Sequence, residues 1–179
     1  EFEIFAAIEP AKEVGGDLYD FFLLDEDHLF FTIGDVSDKG VPAALFMAVT
    51  KTLIKGTAEV GMRPSEILTK VNRELCQDND AVMFVTVFCG ILNVKTGELA
   101  YSNAGHNPPL VMRSGRDPEW LELPYGLVLG AMERAAYETC YAKLERGEGL
   151  LLYTDGVTEA INCDLELYGE QRLFDCARA

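Results

Sequence analysis

Three aspartates stand where an apolar run meets a turn. Asp35 ends the run Leu29 to Gly34, Asp155 follows Leu150 to Thr154, and Asp17 sits after Gly15 and Gly16, at the opening of the run Leu18 to Leu24. The β-branched and aromatic residues of these runs have the character of buried strands, and Gly34 lets the backbone turn as its strand ends. Carboxylates gathered at strand tips repel one another and lose hydration, so if they converge they need a compensating cation. Donors that are all oxygen suit hard ions such as Mg²⁺, Mn²⁺ or Ca²⁺. Aspartate beside glycine after a strand is also ordinary turn chemistry, and spacing alone does not show that the three meet.

Composition narrows the partners. The 179 residues carry 15 Lys and Arg against 30 Asp and Glu, a formal net charge of −15. Phosphate backbones and acidic lipids attract basic patches, so neither nucleic acid nor an anionic membrane is expected as a partner. Of the five cysteines none shows CxxC spacing, and with only His28 and His106 present a zinc site or a serine triad has little to work with. This usage predicts a reduced, cytoplasmic protein. No apolar run approaches membrane-spanning length, so no direct membrane insertion is expected. The length fits one domain over 1–179, and the strand-like start at Glu1 to Ile4 suggests a domain excised from a longer sensor or response-regulator protein.

The elements that must position the aspartates follow from periodicity. Residues 3–8, 17–24 and 28–35 read as successive strands, with Asp25, Glu26 and Asp27 as a polar hairpin turn. Pro42 suits the first turn of a helix over 43–54, and Pro64 opens a second over 65–76 whose Ile67, Leu68, Val71 and Leu75 share one face. Further strands are expected at 84–92, 99–102, 110–112, 137–144 and 149–154, with a polar turn at 114–119 and an irregular link at 124–136. The order predicts an α+β fold of antiparallel sheets packed together, with helices outside.

Several chemistries are excluded by spacing. Asp35 to Gly40 imitates the start of an EF-hand loop, but its twelfth position is Phe46 rather than Glu. No phosphate loop of the GxxxxGK[ST] kind, GxGxxG fingerprint or GxSxG elbow occurs. Four stretches do match a family in order: Glu13 to Asp20, Gly34 to Gly40, Asn103 to Pro109 and Tyr153 to Ala160. Together they resemble the SpoIIE-like, RsbU-type bacterial branch of the PPM metal-dependent protein serine/threonine phosphatases, the protein phosphatase 2C-like enzymes. The resemblance implies an αββα sandwich of two antiparallel sheets flanked by helices, with two divalent cations, Mn²⁺ or Mg²⁺, at one end. It implies Asp35 as the bridging carboxylate with Val36 offering its backbone carbonyl, Asp155 as a ligand of the first metal and Asp17 as the carboxylate of the second. Asp35 and Asp155 would thus carry the catalysis. Asp20 faces the other side of its strand if alternation is strict. His106 reads as a loop-bracing residue ahead of a catalytic acid, and Thr158 and Glu159 as caps of the turn after Asp155.

The implied substrate is a phosphoserine or phosphothreonine on a STAS-domain, anti-anti-sigma-type protein, in a partner-switching pathway governed by a sensor or receiver domain on the same chain. A homodimer remains open. The family pattern continues beyond a segment like Tyr168 to Leu173 with a helix and a final strand preceded by a metal-ligating aspartate, so the fold is expected to lack that C-terminal helix and strand. Ser37 stands where animal-type relatives carry a histidine, Asp38 where this branch often has glycine, and Lys12 and Lys39 read as surface lysines. Two other functions stay open: a non-catalytic, sensor-controlled binding or dimerisation module with an incomplete metal site, and a sandwich holding structural Ca²⁺.

Overall fold

Apolar residues on either side of the Asp25 turn build a hairpin at one edge of the larger sheet. The computed structural model describes residues 2–9, 15–77 and 79–178. In chain order the elements are β1 (Leu18–Leu23), β2 (His28–Val36), α1 (Val41–Thr57), α2 (Pro64–Cys76), β3 (Val85–Asn93), β4 (Glu98–Ala104), β5 (Leu110–Met112), β6 (Glu119–Trp120), β7 (Cys140–Lys143), β8 (Gly149–Leu151), α3 (Asp155–Thr158) and α4 (Gly169–Arg178). The expected α+β class, with antiparallel sheets and helices, is what forms. The chain divides into two compact units, Glu1–His106 with Leu123–Lys143, and Asn107–Glu122 with Leu144–Ala179.

The first unit holds a five-stranded sheet in the order β1-β2-β3-β4-β7. Asp25 closes the first turn by accepting the amides of Asp27 and His28, both at 2.8 Å. Those backbone donors, led by Asp27, with the His28 side chain beside them, hold its carboxyl below the usual range. One face of the sheet is apolar: Phe30 and Val36 of β2 and Val85, Val87 and Cys89 of β3 pack with Ile54 of α1 and Ile67, Leu68 and Val71 of α2. Each such side chain, fully buried, contributes about 1.5–3 kcal/mol. The opposite face carries Ile33 and Asp35 of β2 against Phe88 and Thr86 of β3.

Helix α2 starts with a reciprocal cap in which Glu66 accepts the Arg63 amide at 2.8 Å and the Arg63 guanidinium at 2.9 Å. It ends on a buried polar hub. The Asn72 amide donates to Met132 O at 2.9 Å and Glu133 O at 3.2 Å and accepts the Gly130 amide at 2.9 Å. That segment is tied in turn to β3, because Val85 and Leu129 exchange backbone hydrogen bonds of 3.0 and 2.9 Å. The link expected to be irregular at 124–136 is therefore a strap between α2 and β3.

The second unit holds a three-stranded sheet in the order β6-β5-β8, with Leu110, Tyr153 and Leu173 at its core. Arg113 staples its loops, reaching Glu119 at 3.2 Å and Glu148 at 2.7 Å.

Several expectations are corrected. Residues 2–9 form no strand, and Phe2, Ile4, Phe5 and Ile8 stay exposed, since the pairing of β1 is with β2 alone. Gly56 does not end α1, which continues to Thr57 because Ala58 packs into the core and its amide still reaches Ile54 O at 3.0 Å. The polar turn at 114–119 runs into β6, and β8 stops at Leu151 because β5 offers it three partners only. The segment after Tyr168 is already helical as α4.

Replacing Asn72 with Ala strands buried partners on the strap, so Asn72→Ala is expected to lower the unfolding free energy by about 2–4 kcal/mol in urea titrations. A change under about 0.5 kcal/mol would mean that the strap is held by other contacts.

Candidate functional site

Strand register brings two of the candidate carboxylates together. Leu18 pairs with Gly34, and the Val36 amide reaches Gly16 O at 3.4 Å, so the β1–β2 pairing continues past the end of β1. Asp17 therefore lies opposite Asp35, on the face away from the helices, since Leu18 and Val36 point into the helix-side core. Cβ atoms opposed in this way are about 4.5–5.5 Å apart, and like charges there are destabilising. A cation between them reverses the sign.

Gly16 keeps the space beside the pair open. A Cβ added to it would lie 3.1 Å from Val36 O and 3.2 Å from Asp35 Oδ1, the two oxygens assigned as donors. Glycine leaves that approach open, and carboxylate plus carbonyl oxygen is the donor chemistry of a hard divalent ion. Among the described residues no three His, Cys, Asp or Glu side chains gather as a cluster that could hold a metal ion, so the juxtaposition present is the Asp17–Asp35 pair.

Asp155 is the first residue of α3 in the second unit and is half-buried. Its carbonyl accepts the Glu159 amide at 2.7 Å and the Thr158 hydroxyl at 3.2 Å, so Thr158 braces this turn. Asp20 points to the helix side, with Lys55 Nζ 3.5 Å from its Oδ2. Lys12, Glu13 and Val14 lie outside the described residues.

The turn after Asp35 is tightly specified. Ser37 donates its amide to Phe84 O at 2.9 Å and accepts the Phe84 amide on its hydroxyl at 3.1 Å. Asp38 adopts φ 77, the left-handed region that favours glycine, and accepts the Lys39 amide at 2.9 Å. His106 is 5% exposed, and its loop is locked by Asn103, which accepts the His106 amide and donates to His106 O, both at 3.2 Å. Its Nδ1 lies 2.9 Å from the hydroxyl of Thr86, the residue paired with Asp35. Thr86 escapes a reading of the sequence, because a threonine in a strand is unremarkable until the register is known.

The sequence pattern of Stage II sporulation protein E (SpoIIE) matches residues 25–179. The chain belongs to the SpoIIE family. It is 37% identical over 158 residues to the phosphoserine phosphatase RsbU of Bacillus subtilis, covering 88% of this chain and 47% of that one. The crystal structure of the RsbU and RsbW domains of a Mycobacterium tuberculosis protein superimposes with a TM-score of 0.79 at 29% identity, over 93% of this chain and 46% of that one. The SiaA-PP2C domain of Pseudomonas aeruginosa shares the fold, with a TM-score of 0.81 at 23% identity over 94% of this chain and 68% of that one. The chain is thus an RsbU/SpoIIE-type member of the PPM phosphatases. It spans between about a third and a half of the length of the curated relatives it matches, 32% of the Synechocystis protein IcfG and 47% of RsbU.

Two outcomes are expected of this SpoIIE-family site. Gly16→Ala crowds both donor oxygens, so calorimetric titration should show Mn²⁺ affinity about tenfold weaker; unchanged affinity would place the donors elsewhere. Asp38→Gly relieves the left-handed backbone and should raise the unfolding free energy by about 0.5–1 kcal/mol. A loss of stability would show that the Asp38 side chain, through Lys39, outweighs the strain.

Proposed function

We propose that the chain hydrolyses phosphoserine or phosphothreonine on a small STAS-type, anti-anti-sigma-like protein, in a bacterial partner-switching system. The observation that carries this reading is the Asp17–Asp35 pair, set opposite one another beside Gly16 in a chain of the SpoIIE family. The named activity of RsbU, a phosphoserine phosphatase, supports it.

In this reading Asp17, Asp35, the Val36 carbonyl and Asp155 hold two divalent ions, Mn²⁺ or Mg²⁺. When bound, the ions supply a water acidic enough to attack phosphorus near neutral pH and offset charge on the phosphoryl oxygens. The residues of the chain orient that chemistry. Asp35 sits in β2 with its backbone paired to Thr86 of β3, so its carboxylate starts from a fixed Cα position. Val36 is 2% exposed, and its carbonyl shares a peptide plane with the Ser37 amide that donates to Phe84 O at 2.9 Å, which fixes the direction of that carbonyl. Attack by water needs no phosphorylated side chain on the enzyme.

The acidic composition, with a formal net charge of −15, supports a protein partner rather than nucleic acid. No helix among the described residues is long and apolar enough to cross a membrane. A cytoplasmic setting, and a sensor or receiver domain acting on the same chain, complete the proposal.

The decisive experiment is Mn²⁺-dependent phosphate release from a phosphoserine-bearing STAS protein. Release should stop on chelation and fall to background in Asp35→Asn. Hydrolysis that survives either treatment would reject the assignment of Asp35 and of the metals.

A further inference from the structure

We infer that Thr86 and His106 are positioning residues that fix the Asp35 backbone, and with it the donor oxygens of the candidate metal site. The inference rests on the metal-site reading above and adds two residues to it.

The β2–β3 register pairs Asp35 with Thr86. The Thr86 hydroxyl accepts the Asp35 amide at 3.3 Å, lies 3.3 Å from Asp35 O, and lies 2.9 Å from His106 Nδ1. A hydroxyl has one proton and two lone pairs, so these three contacts are not independent. With a bare Nδ1, Thr86 donates to the ring and accepts only from Asp35. With a proton on Nδ1, the ring donates to Thr86, and the hydroxyl proton turns to Asp35 O. Either pattern holds Thr86 in one rotamer against the Asp35 backbone, and the ring nitrogen sets which.

The ring itself is placed with care. It is 5% exposed, and Asn103 clamps the His106 backbone through both its amide and its carbonyl. Gly105, at φ 71, makes the turn that directs the ring back to β3. Hydrogen-bonded groups behind metal ligands orient the donors, and loss of such support typically weakens metal binding by about 10–100-fold.

Two pairs of variants test this by Mn²⁺ titration calorimetry and by NMR-detected exchange of the Asp35 amide. Thr86→Val keeps the shape and removes the hydroxyl, whereas Thr86→Ser keeps the hydroxyl. His106→Leu removes the ring nitrogen, whereas His106→Asn keeps a polar atom near the place of Nδ1. Thr86→Val and His106→Leu should each weaken Mn²⁺ binding by about tenfold and speed Asp35 exchange, with Thr86→Ser and His106→Asn restoring both. Unchanged exchange at Asp35 in Thr86→Val and His106→Leu would overturn the inference, as would equal losses in the conservative variants, which would mark a role in packing alone. If the parent chain binds no Mn²⁺, the metal reading fails by itself, and the exchange pattern still decides whether Thr86 and His106 hold Asp35.

Discussion

The site depends on one unfavourable interaction, the approach of Asp17 and Asp35 across the β1–β2 pair. Like charges directly opposed across a strand pair are destabilising. Burial of a side chain such as Phe30 returns about 1.5–3 kcal/mol, and core residues of this kind hold the pair together. The hairpin can therefore form without an ion and keep its carboxylates in place. In the proposed reading a divalent cation would enter a geometry that the core has already imposed, and convert repulsion into attraction.

Both faces of the sheet pack apolar side chains, Phe30, Val85 and Val87 toward α1 and α2 and Leu29, Phe88 and Tyr101 on the other face, and Asp35 and Thr86 share that second face. Glycine sits where strands must come closest. A Cβ on Gly34 would lie 2.4 Å from Thr86 O, so β2 and β3 approach beside Asp35 only because that position has no side chain. Gly16 has the same part on the β1 side. The donors are thus flanked by two positions at which a single methyl group would disturb the backbone that carries them.

Much of this was legible in the sequence. The apolar runs ending at Asp35 and around Leu18, and the helical spacing of Ile67, Leu68, Val71 and Leu75, are local signals that burial then enforced. Where burial did not enforce the pattern, the reading failed: residues 3–8, expected as a strand, leave Phe5 exposed and form none. Long-range partners were out of reach for a different reason. Asn72 meets Gly130 across 58 residues and Thr86 meets Asp35 across 51, and neither spacing follows any local period. The family resemblance implied Asp17 and Asp35 as parts of one metal site, and the strand register supplied a geometric relation between them.

Electrostatics also limits how a phosphorylated partner can be recognised. The chain carries a formal net charge of −15, and several of its cations are engaged with carboxylates: Lys55 with Asp20, Lys95 with Asp27, Arg63 with Glu66 and Arg113 with Glu148. Exposed pairs of this kind add little to stability, yet they lower the positive potential available to a phosphate. An acidic surface repels an incoming phosphoryl group over roughly a Debye length, about 8 Å at physiological salt. In the proposed reaction the compensating positive charge must then come from within that distance, from cations held at the carboxylate pair. The same two aspartates that make the metal-free site unfavourable are, on this reading, what allows an acidic protein to act on an anionic substrate.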